Sequence, residues 1–217
     1  MLDKVLSVSN RLSSNPQSIR KKRQILNSAR QIFLQNGYAE TSMEEIAIQA
    51  GVSKGTLYNH FDSKDDLFIL LIQAEASRIA RKLPFPNLEE PNSVSVLVQI
   101  GTAILQVMAA ATTVSTLRLV IGSLGRFPGL GEEFLMRSLG QTVEWIAEYL
   151  DIHGAPDGTH IQDNFAAAEQ FTRWCLAHAV ERVLLPNRSW DIEADFSAWV
   201  AQALYASGIS TGAQLHA

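Results

Sequence analysis

Hydrophobic residues recur at helical spacing along most of the chain. The first such stretch places apolar residues at i, i+4, i+7 and i+8, as on one buried helix face: Ile25, Ala29, Ile32 and Phe33. Further helical patterns cover residues 64–82, 93–111, 113–125, 130–150, 161–185 and 191–207. No stretch shows the alternation of apolar and polar residues that is typical of strands. The pattern therefore predicts an all-α fold.

Two turn-rich breaks divide these helical stretches. Residues 83–92 contain three prolines, and residues 151–159 contain two glycines and a proline. Neither composition favours a helix. We predict an N-terminal helical unit of three or four helices over residues 19–65 and a larger helical bundle over residues 66–217. The polar residues 1–18 are expected to form a disordered arm.

The composition favours a soluble protein of the cytoplasm that holds no cofactor and no metal. Of its 217 residues 47% are hydrophobic, enough for a sizeable core. The single cysteine, Cys175, excludes an internal disulfide and has no Cys or His neighbour at the spacing of a zinc site. Residues 1–10 lack the apolar run of a signal peptide. No stretch approaches the roughly 18 uninterrupted apolar residues of a membrane span.

The charge is distributed unevenly along the chain. The net charge of -4 argues by itself against a nucleic-acid partner. However, residues 1–65 carry nine Lys or Arg against six Asp or Glu, whereas residues 66–217 carry nine against sixteen. Four consecutive cations, residues 20–23, lead into the first helix. Because cations are unfavourable at a helix N-terminus, a phosphate partner is a reasonable explanation for them beside a solvated helix start.

Local signals between residues 42 and 61 predict two short helices joined by a tight turn. Ser42 and Glu45 have the spacing of a capping box. Gly51 can take the positive φ that ends this helix, as Gly37 can for the first helix, and Ser53 can cap the next one. The predicted core-facing residues are Ile46, Ala47, Ala50, Leu57 and Phe61. Only a few residues separate the two helices, which is typical of a helix-turn-helix.

The outer face of the second short helix is small and able to form hydrogen bonds. It carries Gly55, Thr56 and Asn59 when Leu57 and Phe61 point inward. Such a face suits the major groove of DNA, since Thr can touch a thymine methyl, Asn can read an adenine edge and Gly lets the backbone approach phosphate. We assign phosphate contacts to Lys54, Tyr58, His60 and, at the start of the following helix, Lys64. The alternative is a helical corner with a solvated face.

Residues 25–70, which include the stretch "IAIQAGVSKGTLYNHFDSKDDLF", resemble the N-terminal region of the TetR family. The characteristic residues that match are Ala47, Gly51, Val52, Gly55, Leu57, Tyr58, Phe61, Lys64 and Leu67. The resemblance implies phosphate contacts by Thr41, Ser42, Lys54, Tyr58, His60 and Lys64, and base contacts by Thr56 and Asn59. We count Ser53 in the same DNA-binding surface. Residues 118–150 are similar to the C-terminal domain of the AefR-like subgroup.

Proteins of this family pair through their last two long helices, so the resemblance implies a homodimer that binds a palindromic DNA operator. Apolar residues at helical spacing in these two helices fit such an interface, although an intramolecular core would produce the same pattern. The expected interface residues are Phe165, Phe171, Cys175, Phe196, Trp199, Val200 and Leu204.

The resemblance also implies that the C-terminal domain senses a small molecule. The polar and aromatic residues that we expect to line its pocket are Arg118, Arg126, Trp145, Trp174 and His178. The sequence thus predicts a ligand-responsive regulator, most simply a repressor, that a small and rather apolar effector releases from its operator. A helical protein-interaction adaptor without DNA binding is the alternative. The scattered histidines and paired glutamates form no catalytic constellation, so we expect no enzyme.

Overall fold

The computed structural model describes residues 16–84, 87, 89, 94–185 and 192–210, and within these residues it contains helices and no strand. The all-α prediction is therefore confirmed. In chain order the helices are α1 (Pro16–Glu40), α2 (Met43–Gln49), α3 (Lys54–His60), α4 (Lys64–Ala80), α5 (Val94–Ala109), α6 (Ala111–Ser123), α7 (Leu130–His153), α8 (Asn164–Leu184) and α9 (Ile192–Ala206).

The chain forms two compact units, Met1–Leu71 and Ile72–Ala217. The boundary between these units lies inside α4, six residues after the boundary at 65/66 that the sequence analysis expected. Helix α1 begins at Pro16, so residues 16–18 form its first turn and do not belong to the expected arm. Proline suits this position because the first amides of a helix have no intrahelical acceptor. Residues 1–15 lie outside the described residues.

In the first unit, α1 packs against α2, and α2 packs against α3. The large side chains that are fully buried in this unit are Ile25, Phe33, Ile46, Leu57, Phe61, Leu67 and Phe68. Each contributes about 1.5–3 kcal/mol through removal of apolar surface from water. Near the end of α1 the backbone breaks at Gly37, which has φ 78° and ψ 177°. The predicted positive φ is confirmed, but this ψ lies outside the left-handed helical region, in a conformation that essentially only glycine adopts.

In the second unit, α8 is the central helix and packs against α5, α6, α7 and α9. Helices α5 and α8 can approach closely because residue 101 is glycine. A Cβ at Gly101 would lie 2.8 Å from Phe171 Cζ and 2.9 Å from Val200 Cγ1, closer than side chains tolerate. The glycine is therefore required by the packing of α5 against both α8 and α9.

No single helix in the described part of the chain is long and apolar enough to cross a membrane. Helices α5 and α6 together have the required length and composition, but they are bent by 67° at their junction.

Candidate nucleic-acid interface

Helix α2 begins and ends as the sequence predicted. The Ser42 amide donates to Glu45 Oε2 at 2.9 Å, and the Glu45 amide donates to Ser42 Oγ at 3.1 Å, which completes the capping box. Gly51 follows the helix with φ 60°. The carboxylate of Glu45 also interacts favourably with the positive end of the helix dipole. These local interactions fix the turn that leads into α3.

Helix α3 is capped by Ser53, whose Oγ accepts from the Thr56 amide at 3.1 Å. The same Oγ lies 2.8 Å from Thr56 Oγ1, so the two hydroxyl groups share a hydrogen bond. This contact orients the Thr56 side chain. Both hydroxyls retain hydrogen-bonding capacity, because each can make more than one bond.

Of the three residues expected on the outer face of α3, Gly55 and Asn59 are exposed and Thr56 is partly exposed. Leu57 is completely buried, whereas the residues that are exposed on this helix are Lys54, Gly55, Tyr58 and Asn59. Thr56 and His60 are half-buried at its edges. The face therefore offers an amide, a phenol and an ammonium to a partner, and its inner side anchors the helix in the core.

Gly55 is not required by packing within the described part of the chain. A Cβ at this position would have only Ser53 Oγ within 4 Å, at 3.9 Å. Glycine disfavours helix formation relative to alanine by up to about 1 kcal/mol. A helical glycine with open space beside it leaves room for the close approach of a partner's backbone.

Lys64, to which the sequence analysis assigned a phosphate contact, makes its hydrogen bonds within the chain. Its Nζ donates to the carbonyl oxygens of Tyr38 at 2.9 Å, Ala39 at 3.2 Å and Thr41 at 2.8 Å. An ammonium group has three donors, so all of them are used. Lys64 closes the C-terminal end of α1, and in this conformation its three donors are bonded within the chain and do not face the expected phosphate.

Thr41 is also placed inside the unit. Its side chain is buried, with 2% of the residue exposed, and its Oγ1 donates to the Gly37 carbonyl at 2.7 Å. The phosphate contact that the resemblance implied for this side chain is not available in this conformation. Ser42, the next residue, is exposed.

The basic residues at the start of α1 add positive charge to the unit. Arg20 and Arg23 are exposed, and no acidic residue lies in the first turn of the helix. Lys22 Nζ lies 5.5 Å from the centre of the Phe61 ring, close to the end of α3. One contact was not expected from the sequence: Gln24 Nε2 donates to the Ala50 carbonyl at 2.6 Å and so ties α1 to the turn of the helix-turn-helix. Helical periodicity cannot distinguish such a glutamine from a solvated one.

Helix α4 begins at Lys64 and is capped by the preceding residue, Ser63, whose Oγ accepts from the Asp66 amide at 3.0 Å. The Asp66 carboxylate accepts from the Asp62 amide at 3.2 Å, and not from Ser63 as in a standard capping box. Burial raises the pKa of the Asp66 carboxyl, while the hydrogen bond from Asp62 acts in the opposite direction.

The residues expected to line an effector pocket do not converge. Arg118 and Arg126 are exposed, and Trp145 is half-buried. Trp174 lines a shallow hollow along the outer face of α8, and its ring lies 6.4 Å from that of Trp199. The side chain of His178 lies outside the described residues.

A groove between α7 and α8 was not anticipated. It encloses about 500 Å³, and its described lining is Glu132, Leu135, Met136, Leu139, Gly140, Val143, Glu169, Thr172, Arg173 and Leu176. None of the five expected pocket residues is among them. Met136 is 68% exposed at its rim, and Arg173 pairs with Glu169 at 2.7 Å. Nothing in the sequence pattern marks this groove, because its residues have the same spacing as core residues.

Most of the expected interface residues lie in the core of a single chain. Phe171, Cys175, Val200 and Leu204 are at most 1% exposed. A side chain that is already buried has no surface left to lose on dimerisation, and in the single chain these four belong to the core. Phe165 is 54% exposed and Trp199 is half-buried. The side chain of Phe196 lies outside the described residues.

Known protein families match both units of the chain. The family model "bacterial regulatory proteins, tetR family" matches residues 25–71, and the model of the C-terminal domain of AefR-like transcriptional repressors matches residues 95–206. An HTH-type transcriptional regulator of Mycobacterium tuberculosis is 30% identical over 183 residues, which cover 82% of this chain and 80% of that protein.

Two solved structures resemble most of the chain. A TetR-family transcriptional regulator from Mesorhizobium loti has a TM-score of 0.74 at 26% identity, over 88% of this chain and 98% of its own. The flavonoid-responsive regulator FrrA has a TM-score of 0.70 at 31% identity, over 86% of this chain and 96% of its own.

Proposed function

Since this chain belongs to the TetR family, whose members are DNA-binding transcriptional regulators and not enzymes, we propose that it represses transcription from a palindromic operator. In this proposal it acts in the cytoplasm as a homodimer, and a small, apolar effector releases it from the DNA. The observation that carries the proposal is the exposed polar face of α3 on a helix anchored by the buried Leu57.

On this face we assign base contacts to Asn59 and Thr56. Asn59 is exposed, and an asparagine amide can bond both the N6 and N7 positions of adenine. Thr56 is held by Ser53 and presents its methyl group or remaining hydroxyl capacity to a base. Phosphate contacts fall to Lys54, Tyr58, His60 and Ser42. Lys64 and Thr41 act indirectly, by fixing the junction of α1 with α2.

Dimerisation is supported by exposed apolar side chains on α8 and its neighbours. These are Leu135, Met136, Phe165, Trp174 and Tyr205. Aromatic residues and Met are enriched where proteins associate. The outer face of α8 also carries Glu169 and Arg173, so two copies related by a two-fold axis would present opposite charges to each other. Two successive major grooves lie about 34–36 Å apart, so binding to a palindrome requires two copies of α3 at this separation, which a dimer supplies.

The proposals of repression and of release by an effector rest on what similar proteins are described to do. The C-terminal unit matches AefR-like repressors, and FrrA is described as responsive to flavonoids. A small apolar effector fits a helical bundle rich in buried aliphatic side chains. Its coupling to DNA binding would require different affinities for two states of the protein. Helix α4 is the element that could transmit effector binding to the DNA-binding surface, because it belongs to both units.

Fluorescence anisotropy on a palindrome selected from genomic DNA tests DNA recognition. We expect binding at about nanomolar concentration at physiological salt, and a steep decrease with added salt. Asn59→Ala should cost about 1–3 kcal/mol of binding free energy at one operator position. Tyr58→Ala should weaken binding to all sequences alike. The matched control Gln141→Ala removes an exposed amide from α7 in the second unit and should change nothing.

Two outcomes would count against this assignment. Binding that is insensitive to both α3 substitutions would exclude the proposed reading face. Absence of DNA affinity at physiological salt would favour the alternative, a helical adaptor that binds a protein.

Sedimentation equilibrium tests the dimer. Trp174→Glu places a charge on the exposed face of α8 and should shift the protein towards monomer. The control Ile152→Glu alters another exposed apolar residue, at the end of α7, and should leave the mass unchanged. A wild-type protein that sediments as a monomer at micromolar concentration would contradict the proposed assembly.

A further inference from the structure

Helix α4 connects the two units without a break. It runs from Lys64 to Ala80, and the boundary between the units falls between Leu71 and Ile72. Its first half belongs to the unit that carries α3, and its second half belongs to the C-terminal unit. Because an α-helix is stiff over this length, a change in the direction of its second half moves its first half as well.

Directly after this boundary, α4 makes a polar contact with α7. Gln73 Nε2 donates to Glu133 Oε1 at 2.7 Å, and the contact is partly buried. Glu133 lies in the first turn of α7, where the helix dipole favours its carboxylate. The same oxygen accepts from Arg137 Nη2 at 3.3 Å, on the exposed side of α7. The 2.7 Å hydrogen bond from Gln73 has a charged acceptor, and such bonds are among the stronger hydrogen bonds in proteins.

The attachment of α4 to the second unit does not depend on this hydrogen bond. Ile72, Ala76 and Ile79 form a buried stripe on the same helix, at 1%, 0% and 0% exposure. Burial of apolar surface is non-directional, so such a stripe tolerates small rotations and shifts of the helix. A hydrogen bond depends steeply on distance and angle. The contact therefore adds a defined direction to a helix that apolar packing already holds.

We propose that Gln73 and Glu133 are positioning residues for operator binding: their hydrogen bond holds α4 in the direction that the DNA-bound state requires. This inference rests on the function proposed above and names one contact that regulation would act on. A displacement of the first turn of α7 breaks the bond, lowers the population of the binding-competent state and raises the apparent Kd in proportion.

The test is operator affinity by anisotropy in three variants of the full-length protein. Gln73→Glu replaces the donor with a second carboxylate opposite Glu133 and should weaken binding roughly tenfold, or by about 1.4 kcal/mol. The exchange variant Gln73→Glu with Glu133→Gln restores the hydrogen bond with donor and acceptor reversed, and should return affinity to within about twofold of wild type. The matched control Arg137→Ala removes the other partner of the same oxygen and should have no effect, because exposed ion pairs contribute little.

The outcomes separate this inference from the proposed function. If the wild-type protein does not bind DNA, the proposed function fails first. If the wild type binds, and Gln73→Glu binds equally well or the exchange variant fails to recover, the positioning role is overturned. Thermal unfolding accompanies each variant, and Gln73→Ala replaces Gln73→Glu if the latter does not fold. Recovery in the exchange variant is the decisive result, since simple loss of stability would not be reversed by a second substitution.

Discussion

The ammonium of Lys64 lies 4.4 Å from the centre of the Tyr38 ring. The same ammonium donates to three backbone carbonyls at the end of α1, while the Tyr38 hydroxyl donates to Asp65 beside it. The start of α4 is thereby tied to the end of α1, and the lysine supports the DNA-binding surface from within.

Lys64→Met should therefore reduce stability more than it changes DNA electrostatics. It removes charged hydrogen bonds and a cation–π contact, and we expect a loss of about 2 kcal/mol in urea unfolding. The dependence of log K on log salt should stay nearly the same, because no phosphate contact is lost. Lys54→Met is the control: it lies exposed on α3, and it should reduce the salt slope by about 1 with little change in stability. A reduced salt slope for Lys64→Met with little loss of stability would show that Lys64 contacts phosphate.

Gly55→Ala should separate folding from DNA binding. The new methyl group meets only Ser53 Oγ, at 3.9 Å, among the described residues, so the unit should be unchanged or stabilised by up to about 1 kcal/mol. Operator affinity should nevertheless fall, by roughly tenfold, if the glycine lets a DNA backbone approach α3. Calorimetry and anisotropy on the same preparation measure the two effects. Unchanged affinity would show that this glycine has no role in DNA binding.

Gly101→Ala should destabilise the second unit. The added Cβ would lie within 3.0 Å of the Phe171 ring and the Val200 methyl groups, and overpacking of this kind costs about 1–3 kcal/mol. Gly122→Ala is the control on α6, where a Cβ would have no atom of the described residues within 4 Å; helix propensity alone should make it neutral or slightly stabilising. Equal melting temperatures for the two variants would contradict the close packing of α5.

Cys175 should be unreactive in the folded protein. Burial raises the pKa of its thiol to about 12, and only 1% of the residue is exposed. The thiolate is the nucleophile, so at about pH 8 an aromatic disulfide reagent should label the native protein only as fast as it unfolds. Labelling should be complete in denaturant. Rapid labelling of the native protein would show that this part of α8 opens to solvent.

The local features of the DNA-binding unit were predictable because they depend on neighbouring residues. A capping box needs only Ser42 and Glu45 at the right spacing, and a positive φ at Gly51 needs only the absence of a side chain. The exposed face of α3 followed from the helical period once Leu57 and Phe61 were turned inward. The resemblance to the TetR family was confirmed by matches over both units.

The roles of Lys64 and Thr41 could not be predicted in this way. Each faces partners outside its own helix, at carbonyls of α1 that helical periodicity does not place. The expected interface has a related difficulty: Phe171, Val200 and Leu204 have the same apolar spacing whether they meet a second copy or their own chain. The packing of α8 among four neighbouring helices places these three side chains in the core of the single chain.

By itself, therefore, the sequence determined the helices, their caps, the helix-turn-helix and the residues on the outer face of α3. These features are set by local backbone preferences and by a period of about 3.6 residues. The tertiary structure decided which polar groups are already used within the chain and which apolar ones remain exposed. It also decided where α4 meets α7, because contacts between distant segments depend on how the helices pack and not on their spacing along the chain.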